Sequence, residues 1–342
     1  MATHNHCYIA SDAYWRGLEG LAQTKKEGSI MRTVMLTSEG MDMQPCVATI
    51  GFFDGVHKGH QYLVSAVIEE AHQRDLQSMV ITFDRHPREV LGSDFVPRML
   101  STYDEKLIML SKTGVDTAVV LPFDREMASL TAYDFMRDVL RDRLNVKVLV
   151  IGYDNRFGSR GSDVFDDYVR YGRELGIDVI SSQSLELSGV KVSSSVVRSL
   201  IQEGEIEMAH RCLGYPYTIV GTVVKGYHIG TGIGFPTANI TVDDPRKLIP
   251  SPGVYAVWVR LSGSMERKQA MMNIGMRPTF DGRETTLEVH ILHYSGNLYG
   301  EHLSVSFIKR LRQEHKFRSV AELTNQLHAD AQQAEEVLGN QE

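Results

Sequence analysis

Cysteine is scarce in this 342-residue chain, which has only Cys7, Cys46 and Cys212. The three are odd in number, lie far apart and form no C-x-x-C pair. That excludes a disulfide framework and a cysteine-held zinc site, and it fits a reducing compartment. Apolar runs long enough to span a bilayer are missing too. The opening segment MATHNHCYIASDAYW lacks a basic stretch followed by an apolar one, so no secretory signal is expected. There is no basic excess: the formal net charge is −7, which argues against a general nucleic-acid or anionic-membrane binder. A local basic pocket for phosphate stays open. No G-K-[ST] is present, so there is no Walker A loop, and no internal repeat is found. Small-molecule partners are expected, with no nucleic acid and no membrane, in a cytoplasmic location. Oligomeric state is not readable from the sequence.

What is there is ordinary globular composition, 42% hydrophobic and 23% charged. The length predicts two domains. Residues 1–30 are polar, rich in small residues and without a period. They are expected to be an N-terminal extension, or an over-called start with Met31 as the true one. From 47 to 182, short apolar runs alternate with helical patterns. Strands are expected at Val47–Ile50, Met79–Phe83, Thr117–Pro122, Lys147–Gly152 and Asp178–Ser182. Between the first two, Leu63, Val67 and Ala71 repeat at helical spacing beside Val64 and Ile68. This predicts an α/β domain, with a parallel sheet covered by helices on both faces.

Near Cys212–Pro216 the pattern changes to β. Strands are expected at Ile219–Val224, Gly253–Leu261, Gln269–Ile274, Thr286–Tyr294 and Leu303–Ile308, antiparallel and closing into a small barrel. Leu287, Val289 and Ile291 fall on one face of their strand; Glu288, His290 and Leu292 fall on the other. The chain closes with a helix. Ser319 and Glu322 form its capping box, and Val320, Leu323, Leu327, Ala334 and Leu338 form its stripe. The expected division is 1–30, 31–212 and 213–342.

Several stretches can carry chemistry. GFFDGVHKGH, Gly51–His60, follows the first strand and opens a helix, at the edge where open α/β sheets bind ligands. Gly55 and Gly59 let backbone approach a ligand, and helix N–H groups favour anions. His57 and His60 are three apart and can face one side, as donors to phosphoryl oxygens. A plain turn with surface histidines is the blander alternative. VSSSVVRSLI, Val192–Ile201, opens a helix with Ser193, Ser194 and Ser195 and carries Arg198 one turn in; it is a phosphate site or only an N-cap. TFDRHP, Thr82–Pro87, offers Asp84 and His86 at another strand end, or merely a turn. IGYDNRFG, Ile151–Gly158, offers Asp154, Asn155 and Phe157, or a core aromatic. The run Gly221–Ile240 has glycines at 221, 226, 230, 232 and 234 before Pro236-Thr237-Ala238-Asn239. It reads as a phosphate loop, with Thr237 and Asn239 as hard ligands for Mg²⁺, or as a glycine-rich hairpin. Glu288 is a general base or an ordinary outward carboxylate.

Together these stretches resemble the bifunctional riboflavin kinase/FAD synthetases of bacteria, over about residues 45–338. G-x-F-D-G-x-H-x-G-H is matched by Gly51, Phe53, Asp54, Gly55, His57, Gly59 and His60. T-F-D-x-H-P is matched by Thr82–Pro87, and S-S-T/S-x-x-R by Ser193, Ser194, Ser195 and Arg198. G-F-P-T-A-N is matched by Gly234–Asn239, and N-I-G-x-x-P-T-F by Asn273–Phe280. L-R-x-E-x-K-F is matched by Leu311, Arg312, Glu314, Lys316 and Phe317.

The resemblance implies a Rossmann-like nucleotidyltransferase domain followed by a riboflavin-kinase-type barrel. It implies that Glu288 takes the proton of riboflavin's 5′-hydroxyl, which attacks the γ-phosphate of ATP to give FMN, with Mg²⁺ held near Thr237 and Asn239. FMN then attacks the α-phosphate of a second ATP, giving FAD and pyrophosphate, with His57, His60 and Arg198 stabilising charge. Nucleotide contacts are implied for Gly51, Phe53, Asp54, Gly55, Gly59, Ser193, Ser194, Ser195, Gly230, Gly232 and Gly234. Flavin contacts are implied for Asp84, His86, Pro87, Asp154 and Arg312. The chain departs from the family at Thr231 and Gly232, where many members carry a basic residue, and at Asp154 and Asn155, where Asn and an aromatic are usual. A single-activity adenylyltransferase for another acceptor and a flavin-binding storage protein are the competing readings.

Overall fold

The computed structural model describes residues 31–339, apart from 38–41, 93–96, 154, 160, 162, 188, 227–229, 280 and 281. The described residues form two compact units that part between Val196 and Val197.

The earlier unit is built on a six-stranded sheet. Its strands are β1 (Arg32–Met35), β2 (Cys46–Ile50), β3 (Gln77–Phe83), β4 (Thr117–Leu121), β5 (Val146–Ile151) and β6 (Asp178–Ser181), in the order β1-β4-β3-β2-β5-β6. Every pairing is parallel. Side chains alternate between two cores, as a pleat requires. Cys46, Ala48 and Ile50 face one core with Met79, Ile81, Leu149 and Ile151. Val47 faces the other with Val80, Val148 and Val150. Helix α1 (Lys58–Gln73) closes the second core with Leu63, Val64, Val67 and Ala71. The first is covered by the helical segment 132–141, through Phe135, Met136 and Leu140, and by Tyr168 and Leu175. With both faces covered, the central strands are buried along most of their length, which is why their middles stand out as apolar runs. Strand β1 was not expected from the sequence. It is a four-residue edge in which only Val34 is buried, so it carries no period.

The strand order reverses around β2, which lies between β3 and β5. The carboxyl end of β2 therefore opens on the crevice where such sheets take ligands. Helix α2 (Tyr103–Ser111) begins with the Thr102/Glu105 capping box. Helix α3 (Phe165–Leu175) precedes β6, and a short ribbon, β7 (Glu186–Leu187) with β8 (Val190–Lys191), leads to helix α4 (Ser194–Glu203).

Helix α4 crosses the division between units, and α5 (Ile206–Leu213) belongs to the later one. Its buried face, Ile206, Ala209, Cys212 and Leu213, packs on a barrel strand.

The later unit is a closed antiparallel barrel, in the order β10-β13-β12-β11-β14-β9. The strands are β9 (Thr218–Val224), β10 (Ala238–Val242), β11 (Gly253–Leu261), β12 (Lys268–Thr279), β13 (Gly282–Ile291) and β14 (His302–Arg312). Leu287, Val289 and Ile291 are buried in alternation, as expected. Strand β10 was not expected; it begins within the stretch read as a phosphate loop or a glycine-rich hairpin and pairs antiparallel with β9. The closing helix, α6 (Val320–Gly339), lays Leu327, Ala331, Ala334 and Leu338 on Val254, Ala256 and Trp258 outside the barrel. Val320 is 64% exposed and stands off this stripe, contrary to expectation. Ser319 Oγ accepts from Glu322 N at 3.1 Å, but the Glu322 carboxylate reaches Arg318 N, not Ser319 N.

Candidate active sites

The first site grows from the end of β2. Gly51 N donates to Ile81 O at 3.0 Å, and the chain then turns sharply. Phe53, Gly55 and Val56 have φ of 57°, 74° and 33°. Two non-glycine residues in left-handed backbone need support from their surroundings. That support is dense. The buried Asp54 carboxylate accepts from Leu100 N and Ser101 N, both at 3.0 Å, and from Ser101 Oγ at 3.1 Å. Ser101 Oγ accepts from Gly55 N at 2.9 Å, and Gln61 Nε2 donates to Val56 O at 2.8 Å. Ser194 Oγ donates to Asp54 O at 3.0 Å, and Thr82 Oγ1 donates to Phe52 O at 3.1 Å.

This turn delivers His57 to the N-cap of α1, where its Nδ1 accepts from His60 N at 3.3 Å. A neutral His57 ring therefore carries its proton on Nε2. The His57 and His60 rings stack, with centroids 3.7 Å apart, as the three-residue spacing predicted. Phe53 sets its edge against His60 at 5.0 Å. A Cβ on Gly59 would lie 3.0 Å from Val192 O and 3.1 Å from His57 Nδ1. Glycine there lets the serine segment pass close to the imidazole.

Ser193 Oγ caps α4 by accepting from Val196 N at 3.3 Å, Ser194 straps the turn, and Ser195 is exposed in the first turn. Arg198 is half-buried one turn farther along α4. Of the serines and acids read as ligand groups, Asp54, Ser193 and Ser194 thus bond to the protein itself. The same holds for Asp84. It accepts from Phe123 N at 2.9 Å and from Arg85 Nη2 at 2.9 Å. Burial pushes its carboxyl up, but these hydrogen bonds outweigh that and hold it below the usual range. His86 caps the turn Pro87–Val90, and its ring edge meets Phe52 at 4.8 Å. Phe157 packs on the core and stacks on Tyr168 at 4.5 Å, so it is the core aromatic of the two readings. Asp154 lies outside the described residues; Asn155 Nδ2 donates to Ile50 O.

One residue here escaped the sequence reading. Lys106 is 3% exposed, and its Nζ donates to Phe83 O at 2.8 Å. It also lies over the Phe52 ring, 4.3 Å from the centroid. The available signal was a lysine four residues before Leu110, on the buried face of α2.

The second site lies on the outer face of the barrel. In the strand register Glu288 stands opposite Asn239 on β10 and opposite Asn273 on β12. Asn273 is in turn opposite Val254, which packs under the closing helix, so this row faces outward. A Cβ on Gly226 would run into the Asn239 carboxamide. A Cβ on Gly275 would meet Glu314 Oε1 at 2.8 Å and Thr286 Oγ1 at 3.1 Å. Glycine at both positions keeps this oxygen-rich surface open. Asn273 and Glu314 sat in recognised motifs but had been given no role.

Gly230–Ile233 form a short helical turn, and Gly234 follows with φ 84°. Phe235 is buried against His290 and His328, which anchors the segment carrying Thr237 and Asn239. Thr237 is exposed. Among the described residues no group of three or more His, Cys, Asp or Glu can hold a metal. Arg312, expected at the flavin, is held by the protein itself. Its Nε and Nη2 donate to Asp330 at 2.9 and 2.7 Å, and its Nη1 to Gln313 O at 3.1 Å. The fork is closed on the protein's own oxygens.

Comparison with known proteins finds two family models in succession along the chain. The FAD synthetase family model matches residues 40–196, and the riboflavin kinase model matches 213–338. A bifunctional riboflavin kinase/FMN adenylyltransferase of Escherichia coli K12 is 39% identical over 324 residues, covering 95% of this chain and 97% of that protein. One from Bacillus subtilis is 33% identical over 302 residues, covering 86% and 93%. A crystal structure named a macrolide-efflux protein, from Streptococcus pneumoniae, superposes with a TM-score of 0.80 at 33% identity, covering 88% of this chain and 98% of that one. No helix among the described residues is long and apolar enough to cross a membrane. The chain belongs to the bifunctional riboflavin kinase/FMN adenylyltransferases, with the FAD synthetase part preceding the kinase part.

Proposed function

We propose that the two reactions of this bifunctional enzyme run at the two sites above: riboflavin phosphorylation at the Glu288 row, and FMN adenylylation at the His57–His60 turn. The kinase work falls to residues 213–342 and the adenylyl transfer to 31–212, in the cytoplasm. The observation that carries the reading is that the Glu288 row and the His57–His60 turn each gather groups suited to one of the two reactions.

In the barrel, Glu288 accepts the proton of riboflavin's 5′-hydroxyl as that oxygen attacks the γ-phosphate of ATP; FMN and ADP result. Asn239 and Asn273 flank the carboxylate on both neighbouring strands and hold the reacting oxygen's surroundings. Thr237 and Asn239 supply a hydroxyl and an amide oxygen, the donors Mg²⁺ takes beside substrate phosphates. Bound there, Mg²⁺ would neutralise charge on the transferring phosphoryl group. Gly230, Gly232 and Gly234 bring backbone to the nucleotide.

At the sheet edge, the FMN phosphate attacks the α-phosphate of ATP and pyrophosphate leaves. His57 donates from Nε2, since Nδ1 is taken by His60 N–H. His60, Ser195 and Arg198 add donors at the amino end of a helix. Asp54, Gly59, Ser193 and Ser194 shape the turn. His86 and Pro87 border the flavin.

The test is incubation of the full chain with riboflavin, ATP and Mg²⁺, with the flavins resolved by chromatography. FMN and then FAD are expected. Absence of FMN removes the kinase assignment, and FMN without FAD removes the adenylyltransferase assignment.

A further inference from the structure

We infer that Lys106 is a positioning residue for adenylyl transfer, tying together the loops that leave β2 and β3. The inference rests on the assignment of FMN adenylylation to the His57–His60 turn.

The geometry is a three-way tie. Lys106 Nζ donates to the carbonyl of Phe83, the last residue of β3, at 2.8 Å. The same ammonium lies 4.3 Å from the ring centroid of Phe52, on the loop that leaves β2. Tyr103, one turn earlier on α2, presents its ring at 5.8 Å. Phe52 in turn receives the edge of His86, on the loop that leaves β3. A buried ammonium is costly unless charge balances it. The balancing groups are one acid from each loop, Asp54 and Asp84. Both are pinned: Asp54 by Leu100 and Ser101, Asp84 by Phe123 and Arg85. Lys106 is therefore satisfied only when both loops hold their places. Phe53 and Val56, in left-handed backbone beside Phe52, depend on that hold to deliver His57 to its cap.

Burial pushes the Lys106 ammonium down to about 8, with Asp54 and Asp84 acting in the opposite direction. As pH rises through that value, the cation–π contact and the attraction to both acids are lost. Adenylyl transfer falls with them, and the kinase reaction in the same chain does not.

The test uses the full chain, FMN, ATP and Mg²⁺, with initial rates of FAD formation from pH 6.5 to 9.5 and riboflavin phosphorylation as the internal control. The native protein is expected to lose FAD-forming kcat with a midpoint near 8. Lys106→Met is expected to lower that kcat about tenfold or more at neutral pH, with a smaller change in KM and no alkaline limb. Lys106→Arg, which stays charged, is expected to keep most of the rate and to lack the limb. A native profile flat across this range overturns the inference. So does a Lys106→Met kcat within about twofold of native, a limb that survives in either variant, or an Arg variant as impaired as the Met variant. If Lys106→Met proves unfolded by its thermal melt, the Arg and native profiles decide alone. Failure of the site assignment is separate: it shows as FAD formation surviving His57→Ala with His60→Ala.

Discussion

Removing the Asp330 carboxylate tests what holds the closing helix to the barrel. Asp330 is 1% exposed and accepts from Arg312 Nε at 2.9 Å, from Arg312 Nη2 at 2.7 Å and from Gln326 Nε2 at 2.9 Å. Asp330→Ala leaves the guanidinium facing a space without a counter-charge. Breaking a fully buried pair this way costs about 3–5 kcal/mol. The Arg312 side chain keeps 18% exposure, so water recovers part of that. We expect about 2–4 kcal/mol for Asp330→Ala, and about half of it for Asp330→Asn, which keeps shape and one acceptor. Arg312→Met costs at least as much, because it strands the more deeply buried partner. The double variant Asp330→Ala with Arg312→Met should therefore show a coupling energy of about 2 kcal/mol or more. The assay is urea unfolding followed by the emission of Trp258, which lies in the same outer cluster as Ala334 and Leu338. Trp15, the other tryptophan, is replaced by Phe in all variants. A coupling energy below about 0.5 kcal/mol would refute the reasoning, because the pair would then behave as a solvated surface contact.

Gly226→Ala places a methyl against the Asn239 carboxamide. FMN formation is expected to fall about tenfold or more, with a raised requirement for Mg²⁺, while supplied FMN is still converted to FAD; the two rates by chromatography check it. Cys46 is fully buried, and burial, with Lys147 opposing, pushes its thiol up to about 12. Native protein at pH 8 should leave Cys46 unlabelled by iodoacetamide while denatured protein labels fully, read by peptide mass spectrometry.

The sheet was legible in the sequence because helices cover both its faces. Val47–Ile50 and Thr117–Leu121 are fully buried for that reason, and apolar apart from one threonine each. Strand β1 was not, since it offers one buried side chain, Val34, and no period. Strand β10 was masked by the glycines that precede it, at 226, 230, 232 and 234, which suit a phosphate loop and a hairpin equally. The His57–His60 pair was legible because a three-residue spacing at a helix start brings two rings together by local geometry alone. Asp54, Ser194 and Lys106 were not legible in their roles, because each acts on a segment far along the chain. Ser194 reaches Asp54 and Lys106 reaches Phe83 only once the sheet edge is assembled. Arg312 shows the same limit from the other side. Its motif was read correctly, but its partner Asp330 is on a helix whose packing the motif does not specify.

The central claim is that each site carries one reaction independently of the other. One chromatographic assay of paired variants tests it most directly. The account predicts that Glu288→Gln forms no FMN from riboflavin yet still converts supplied FMN to FAD. It predicts the converse for His57→Ala with His60→Ala: FMN accumulates and FAD does not form. Loss of both activities in either variant, with the protein still folded, would contradict it.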